Sequence, residues 1–335
     1  MSDAIELRGL DGATPLGFMA AVGLLNVVTA SSRSLNMPAP LLAWIYRGAW
    51  NAALTCERGI TSVVEAVMND LKRPSIKRVL ELSYPKLEND NKNKSKIVKS
   101  FSGLRPPVGV LRAWLDDCMQ RSDWEALSFL SSLMIETASE SIKPENCPTL
   151  VHVGLAVDGT RADALTQSAA QTVFDFTSKN QQFLDQARII ATTFNSDEAM
   201  AELFGESGGV LTDRTMGWDP REDRPGALFS QAASRRYPVL EWLAFRALPL
   251  FPLAGAGELA ITTSCRGRRK KGQFRWCVWS GNATLQALRS LNRTIYSATQ
   301  SSQCRQALGI AEVFESELGK GADGYSGVFR PVSVV

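Results

Sequence analysis

The chain has 335 residues, of which 44% are hydrophobic, 21% charged and 8% aromatic, and its formal net charge is +3. This length suffices for one large core or two modest ones, and the composition excludes a wholly disordered protein. The six cysteines form no C-x-x-C pair, which argues against a zinc motif or a disulfide framework and predicts reduced, mostly buried thiols.

The N-terminus predicts a strand, a turn and a helix. Alternation from Ile5 to Arg8 indicates the strand, and Thr14 followed by Pro15 is typical of an N-cap and a first helical residue. The helix should run to about Ala30, is apolar nearly all round and belongs in the core. Its apolar run is shorter than the ~18 residues of a membrane span, and acidic residues precede it where a signal peptide has cations. We therefore expect a cytoplasmic protein without membrane contact.

The next segment predicts a hairpin, a helix and a loop. Two short apolar runs across residues 41–54 indicate the hairpin. Ser62 and Glu65 have the spacing of a capping box that would open a helix to about Lys72. Residues 85–100 are rich in Asn and Lys and predict a mobile surface loop that divides the chain.

The middle of the chain contains several short elements and a long loop. The predicted elements are helices at 108–120, 122–138 and 178–194, a strand at 151–157 and a short helix capped by Ser196. Residues 205–230 are rich in Gly, Pro and charge and predict a long ordered loop. Loops of that length are often functional.

The C-terminal part predicts two helices around a basic hairpin. One helix should begin at Pro238 and stop near Pro249, and the other should span about 283–297. Between them, strands at 258–264 and 273–279 would flank a run of cations.

These elements predict a helix-rich α+β fold with short antiparallel hairpins, one of them basic at its tip. We expect an N-terminal α+β region over 1–150, with the Lys-rich loop at 85–100. A C-terminal helical region over 151–335 would carry the basic β-hairpin at 258–279.

Catalytic groups are scarce. The only histidine, His152, lies in an apolar run and is more typical of a structural residue than of a base. No phosphate-binding glycine loop occurs between a strand and a helix, so we expect no cofactor. Four carboxylates could hold the metal ions of a nuclease, but interleaved arginines favour local ion pairing. They are Asp213, Asp219, Glu222 and Asp223. We expect no catalytic residue and no metal, with a metal-dependent nuclease as an alternative.

The basic hairpin is the strongest candidate site. Between Arg266 and Arg275 there are six Lys or Arg residues and no acid. Phe274 and Trp276 alternate with Arg275, so one face can pack while the other faces outward. A cationic tip can neutralise phosphates, enter a groove or place an aromatic ring against a base. A solvated hairpin end is the alternative. The candidate residues are Arg266, Arg268, Arg269, Lys270, Lys271 and Arg275.

Three further groups could contact nucleic acid. The basic pair Arg235 and Arg236 follows the long loop. The loop at 85–100 could grip a backbone or be a solvated linker, and its candidates are Lys92, Lys94, Lys96 and Lys99. Side-chain amides at a helix start could form hydrogen bonds with adenine edges, although they could also form hydrogen bonds with backbone groups of the helix start. They are Asn180, Gln181 and Gln182.

Three motifs resemble a known family. Residues 10–25 read LDGATPLGFMAAVGLL, residues 179–184 read KNQQFL, and residues 237–245 read YPVLEWLAF, followed by a Phe-x-Trp-x-x-Trp strand at 274–279. In order, spacing and length they are similar to the large-subunit-like proteins of type I-U (also called I-G) CRISPR surveillance (Cascade) complexes.

The resemblance implies a subunit of a ribonucleoprotein that carries CRISPR RNA and finds matching double-stranded DNA. Base pairing reads the sequence, while a protein subunit reads a short flanking motif and helps to open the duplex. The expected partners are other effector subunits, CRISPR RNA, target DNA and a recruited helicase-nuclease that does the cutting. A scaffold subunit that touches no nucleic acid is the main alternative.

Overall fold

The computed structural model describes residues 4–57, 59–89, 96–136, 169–177, 182–212, 215–220, 234–256, 259–268, 271–320 and 327–335. Within them the fold is α+β, as predicted, with helices packed around small antiparallel sheets. The predicted strand at 151–157, His152 and the predicted boundary at residue 150 lie outside the described residues.

The elements follow in chain order. The first are β1 (Ile5–Asp11), α1 (Pro15–Ser34), β2 (Leu41–Tyr46), β3 (Trp50–Thr55), α2 (Ile60–Asp70) and α3 (Pro74–Leu80). Next are β4 (Tyr84–Asn89), β5 (Lys96–Phe101), α4 (Val108–Gln120), α5 (Trp124–Leu133), β6 (Met134–Ile135) and β7 (Ala170–Gln171). Then come α6 (Phe183–Ala191), α7 (Ser196–Phe204), β8 (Val210–Thr212), β9 (Ser234–Arg236), α8 (Pro238–Ala247) and a 3₁₀ turn (Leu248–Leu250).

The C-terminal part is dominated by strands. It contains β10 (Leu253–Ala256), β11 (Leu259–Thr262), β12 (Cys265–Arg268), β13 (Lys271–Trp279), α9 (Leu285–Ala298), α10 (Ser302–Ala307), β14 (Ile310–Lys320), β15 (Gly327–Phe329) and β16 (Ser333–Val334). One sheet has the order β1-β3-β2, and a five-stranded sheet has the order β12-β13-β14-β15 with β16 beside β14. The elements from α10 to β16 have no counterpart among the predicted ones.

Helix α1 is the core helix that the sequence predicts. Its first turn is capped by the Thr14 hydroxyl, which accepts a hydrogen bond from the Gly17 amide at 3.1 Å. By length and composition α1 is apolar enough to cross a membrane, but 83% of its most apolar window is buried inside the protein. It packs along α8, and a Cβ added at Gly23 would lie 1.7 Å from the Leu243 carbonyl oxygen. The two backbones are therefore in direct contact.

An aromatic cluster joins the N-terminal helix to the five-stranded sheet. The Phe18 ring lies 6.1 Å from Trp276, which in turn lies 4.9 Å from Phe274. The Trp276 indole donates a 2.8 Å hydrogen bond to the carbonyl of Gly12, in the turn before α1. Buried side chains from both predicted regions thus share this core. The strand β13 is consequently anchored at its centre.

The helix starts predicted at Ser62 and Ser122 differ from the observed ones. The helix placed after Ser62 begins at Ile60, with Gly59 as its N-cap. The helix placed at Ser122 is capped by Asp123, whose carboxylate accepts from the Ala126 amide at 3.1 Å. That helix ends at Leu133 and continues into β6, not to residue 138. Gly59 lies upstream of Ser62, whereas Asp123 directly follows Ser122, so the Ser-x-x-Glu spacing misplaces both starts.

Two other predictions need correction. The helix placed after Ser196 is capped by Asn195, which forms a capping box with Glu198. The mobile loop predicted at 85–100 is wrong over most of its length, because β4 and β5 pair along six residues. Tyr84 anchors their base, since its hydroxyl donates to the Arg105 carbonyl at 3.0 Å.

Candidate nucleic-acid interface

The basic hairpin consists of β12 and β13. The strand predicted at 258–264 is wrong as the partner of β13, because β11 pairs with β10. Ser264 then takes a left-handed φ of 64° and turns the chain into β12. The register pairs Arg266 with Gln273 and Arg268 with Lys271. Arg266, Arg268 and Lys271, which the sequence places in the hairpin tip, therefore occupy strand positions, while 269 and 270 lie outside the described residues.

The hairpin extends from a strand that is fixed in the core. Phe274, Trp276 and Val278 are buried, as the alternation predicts. The opposite face is covered too, because Cys277 and Trp279 are only 2% and 4% exposed. Strand β13 is therefore buried on both faces from Trp276 to Trp279, which fixes this part of it in the core.

Tyr296 of α9 organises the cations at the base of the hairpin. The guanidinium carbon of Arg266 lies 3.8 Å from the Tyr296 ring centre, and that of Arg275 lies 4.7 Å away. Burial raises the pKa of Tyr296, so the phenol keeps its proton. The hydroxyl donates to the Gln273 carbonyl at 3.3 Å. The ring thus fixes Arg266 by a cation–π contact.

Arg266 and Arg275 differ in whether a carboxylate already neutralises their positive charge. Arg275 pairs with Glu315, with Nη2 and Oε2 2.8 Å apart, and donates to Thr299. Arg266 is exposed, and no carboxylate of the described chain lies within ion-pair distance of it. Arg275 is therefore a positioning residue, whereas Arg266 offers a positive charge to an anion.

A cleft of about 310 Å³ lies beside Arg266, at the lower end of the range for small-ligand sites. Gly267 and Gly272 face each other across the hairpin and leave an open backbone floor. The cleft is lined by Arg266, Gly267, Gly272, Gln273, Glu317 and Leu318. It can admit one flat group between the exposed guanidinium of Arg266 and the carboxylate of Glu317.

The predicted pair Arg235 and Arg236 is split between surface and interior. Arg235 is exposed on β9 and donates to the Gly208 carbonyl. Arg236 is only 4% exposed, and its Nε lies 3.0 Å from Oε2 of Glu241. Its Nη2 donates to Gln186 at 3.0 Å. A guanidinium enclosed in this way cannot reach a phosphate, so we omit Arg236 from the contact surface.

The remaining candidates lie elsewhere. Gln182 precedes α6 and accepts a hydrogen bond from the Ser102 amide, which favours the structural alternative for it. Lys99 is exposed on β5, and Lys96 begins that strand. The others fall outside the described residues: Lys92, Lys94, Asn180 and Gln181.

Of the four carboxylates of the nuclease alternative, the structure describes Asp219 alone. Asp219 is 4% exposed and belongs to a buried charged group with Glu241 and Arg236. Burial raises the pKa of Glu241 to about 7, and Asp219 contributes to the rise. Asp213, Glu222 and Asp223 lie outside the described residues. In the part of the chain that the structure describes, no three His, Cys, Asp or Glu side chains are grouped to hold a metal ion.

Sequence reasoning missed Tyr296, because a lone tyrosine on the polar side of a helix gives no signal until the hairpin is placed against it. No protein-family model and no curated protein matches the chain. The chemistry of the site therefore follows from its geometry. An exposed guanidinium fixed on an aromatic ring, at the base of a cationic hairpin, can bind a phosphate and stack on a base.

Proposed function

We propose that this chain is a non-catalytic nucleic-acid-binding subunit of a CRISPR RNA-guided surveillance complex. It would contact target DNA or CRISPR RNA through the basic hairpin β12–β13. The observation that carries the proposal is the exposed Arg266 fixed on Tyr296, at the root of a hairpin that continues a buried strand. The three family-like motifs supply the CRISPR context.

The anchoring of Arg266 and of strand β13 supports a binding role. A free lysine-rich arm loses conformational entropy when it binds a strand, whereas Arg266, held on the Tyr296 ring, has lost part of it already. Each phosphate that the hairpin neutralises releases condensed counterions, which drives association at low salt. Such a tip is also narrow enough to enter a groove of a duplex.

Within the complex this subunit would act beside CRISPR RNA and the other effector subunits in the cytoplasm. Guide pairing reads the target, so the protein needs only to recognise a short flanking motif and help to separate the strands. Cleavage belongs to the recruited helicase-nuclease. The proposal therefore requires no cofactor and no catalytic residue in this chain.

The first test changes Arg268, Arg269, Lys270 and Lys271 together to Ala. Binding to labelled duplex DNA, single-stranded DNA and RNA is measured across a salt series. We expect the slope of log K against log salt to fall by about 0.9 for each duplex phosphate contact removed. A control changes four exposed cations elsewhere, Arg8, Arg47, Lys77 and Arg121, to Ala. Equal losses in both variants would contradict a specific site at the hairpin.

A scaffold role is the second candidate, and one observation favours it. Trp124 at the start of α5 is 64% exposed, and Met119 at the end of α4 is 47% exposed. Large exposed side chains of these types are enriched in protein interfaces. If no variant and no wild-type protein binds nucleic acid, and the hairpin variant still supports target binding by the assembled complex, the scaffold role replaces the binding role.

A further inference from the structure

A second group of cations lies where α1 ends against α9. Arg289 and Arg293 are four residues apart on α9 and therefore one helical turn apart on the same side. Arg33 lies in the last turn of α1, which packs against α9. Arg33 and Arg293 are exposed and Arg289 is half-buried. We call these three residues the arginine cluster.

The cluster concentrates positive charge. Burial lowers the pKa of the Arg289 guanidinium, and the nearby charges of Arg33 and Arg293 lower it further. None of the three has a carboxylate within ion-pair distance in the described chain. Surface arginines are commonly ion-paired or well separated, because like charges repel. Three that converge without an acid form a ready site for an anion.

The cluster is continuous with the candidate interface along one side of α9. Arg289, Arg293 and Tyr296 are spaced i, i+4 and i+7, which places them in one row. At 1.5 Å per residue the row is about 10 Å long. Its far end is the tyrosine that carries Arg266. The buried residues of α9, such as Leu288 and Ile295, lie on another side.

We infer that the arginine cluster is a second phosphate-binding site, and that a single strand of nucleic acid runs along α9 from it to the basic hairpin. This inference rests on the proposed function and gives the path of the strand. Because the row on α9 is only one guanidinium wide, it fits the phosphate backbone of one strand better than the two backbones of a duplex. Arg266 can offer its outer plane to a base while the cluster holds phosphates, the combination typical of single-strand sites.

The test compares Arg289→Gln/Arg293→Gln with the control Arg8→Gln/Arg121→Gln, which removes the same charge from exposed arginines elsewhere. The probes are fluorescein-labelled single-stranded DNA and RNA of about 20 nucleotides and the matching DNA duplex. For single strands we expect the salt slope of the cluster variant to fall by about 1.4, or ~0.7 per contact. The control should keep the wild-type slope.

The outcomes separate this inference from the proposed function. If the hairpin variant loses binding while the cluster variant keeps the wild-type slope, the strand path is wrong and the function stands. If the wild type binds none of the probes, the strand path is wrong, and both are wrong if the hairpin variant also supports target binding by the assembled complex. If the cluster variant lowers the salt slope as much for the duplex as for the single strands, the assignment to a single strand is overturned.

Folding is checked by thermal unfolding. Because the change removes repulsion and no ion pair of the described chain, the midpoint of the cluster variant should equal or exceed that of the wild type. Arg33→Gln, on the other helix, provides an independent variant. It should lower the single-strand slope by about 0.7 on its own. An unchanged slope in that variant would remove Arg33 from the site.

Discussion

The ionisation of Glu202 is determined by its surroundings in the folded protein. It lies on α7 and is 3% exposed, yet its carboxylate accepts hydrogen bonds from the amides of Val239 and Leu240 at 2.9 and 3.1 Å. These amides belong to the first turn of α8, whose own N-cap supplies no side-chain hydrogen bond. Burial raises the pKa of Glu202 to about 8, and the two amides only partly offset it. The carboxyl therefore carries a proton through most of the neutral range.

The stability of the protein should consequently depend on pH through this group. The pKa of about 8 in the folded state exceeds the ordinary value of 4.5, so the folded state binds the proton more tightly. That contribution is complete below pH 4.5 and is lost as the pH rises through about 8. Relative to the Glu202→Gln variant, the wild type should lose on the order of a few kcal/mol of unfolding free energy between pH 5 and pH 9.

The measurement is urea unfolding of both proteins at several pH values. Glu241 titrates nearby, with its pKa raised by burial to about 7, but it is present in both proteins and largely cancels in the difference. A difference that is flat from pH 5 to pH 9 would mean that Glu202 is charged throughout. From sequence alone, Glu202 reads as an ordinary acid in the amphipathic segment SDEAMAELF. Only the approach of α8 buries it.

At the scale of elements, the contact of α1 with α8 decides the arrangement of the core. The sequence predicts both helices and the burial of α1, because the apolar pattern is local. It does not predict that Gly23 touches the backbone of Leu243, since nothing in the spacing of glycines identifies the partner helix. Helix ends were less predictable than helix interiors. Gly59, Asp123 and Asn195 are the N-caps of the helices whose starts the pattern placed at Ser62, Ser122 and Ser196.

The helix contact gives a prediction with a definite sign. In an open helix, Gly→Ala stabilises by about 1 kcal/mol through propensity. At Gly23 the new methyl group would lie 1.7 Å from a carbonyl oxygen, and backbone cannot move aside as a side chain can. Overpacking costs about 1–3 kcal/mol, so Gly23→Ala should lower the unfolding free energy by about 2 kcal/mol.

Chemical denaturation measures the effect, with Gly255→Ala as the control. A Cβ at Gly255 has no atom within 4 Å, so this change should be nearly neutral. Stabilisation of the protein by Gly23→Ala would show that the two helices are further apart than the structure places them.

At the scale of the whole molecule, a buried ionic network ties distant parts of the chain together. The Arg246 Nε of α8 lies 2.8 Å from the Asp70 carboxylate of α2, and both side chains are 1% exposed. Arg246 also donates to Glu125 of α5 at 2.9 Å, and Glu125 pairs with Arg73. Burial raises the pKa of Asp70, while Arg246 acts to lower it. Residues 176 positions apart in sequence thus depend on each other for charge compensation.

Breaking this network should be costly. Asp70→Asn leaves the buried Arg246 with only the half-buried Glu125 as its counter-ion. Removing one partner of a buried ion pair typically lowers the unfolding free energy by about 3–5 kcal/mol. Because Glu125 remains beside Arg246, we expect a loss of about 3 kcal/mol. Asp117→Asn breaks the exposed pair with Arg121 and should leave the denaturation midpoint nearly unchanged, because water screens an exposed ion pair. Similar denaturation midpoints for both variants would contradict a structural role for the network.

Local patterns in the sequence determined the α+β class, the buried first helix, the helix interiors and the presence of a basic hairpin near residue 270. These features follow from periodicity, caps and charge runs, which involve residues close in sequence. The tertiary structure alone decided that Arg236 is internal, that Arg275 is paired, that Tyr296 fixes Arg266, and that the arginines of α9 lie in line with the hairpin. Each of these depends on which distant elements touch, and that choice is made by the packing of the whole core.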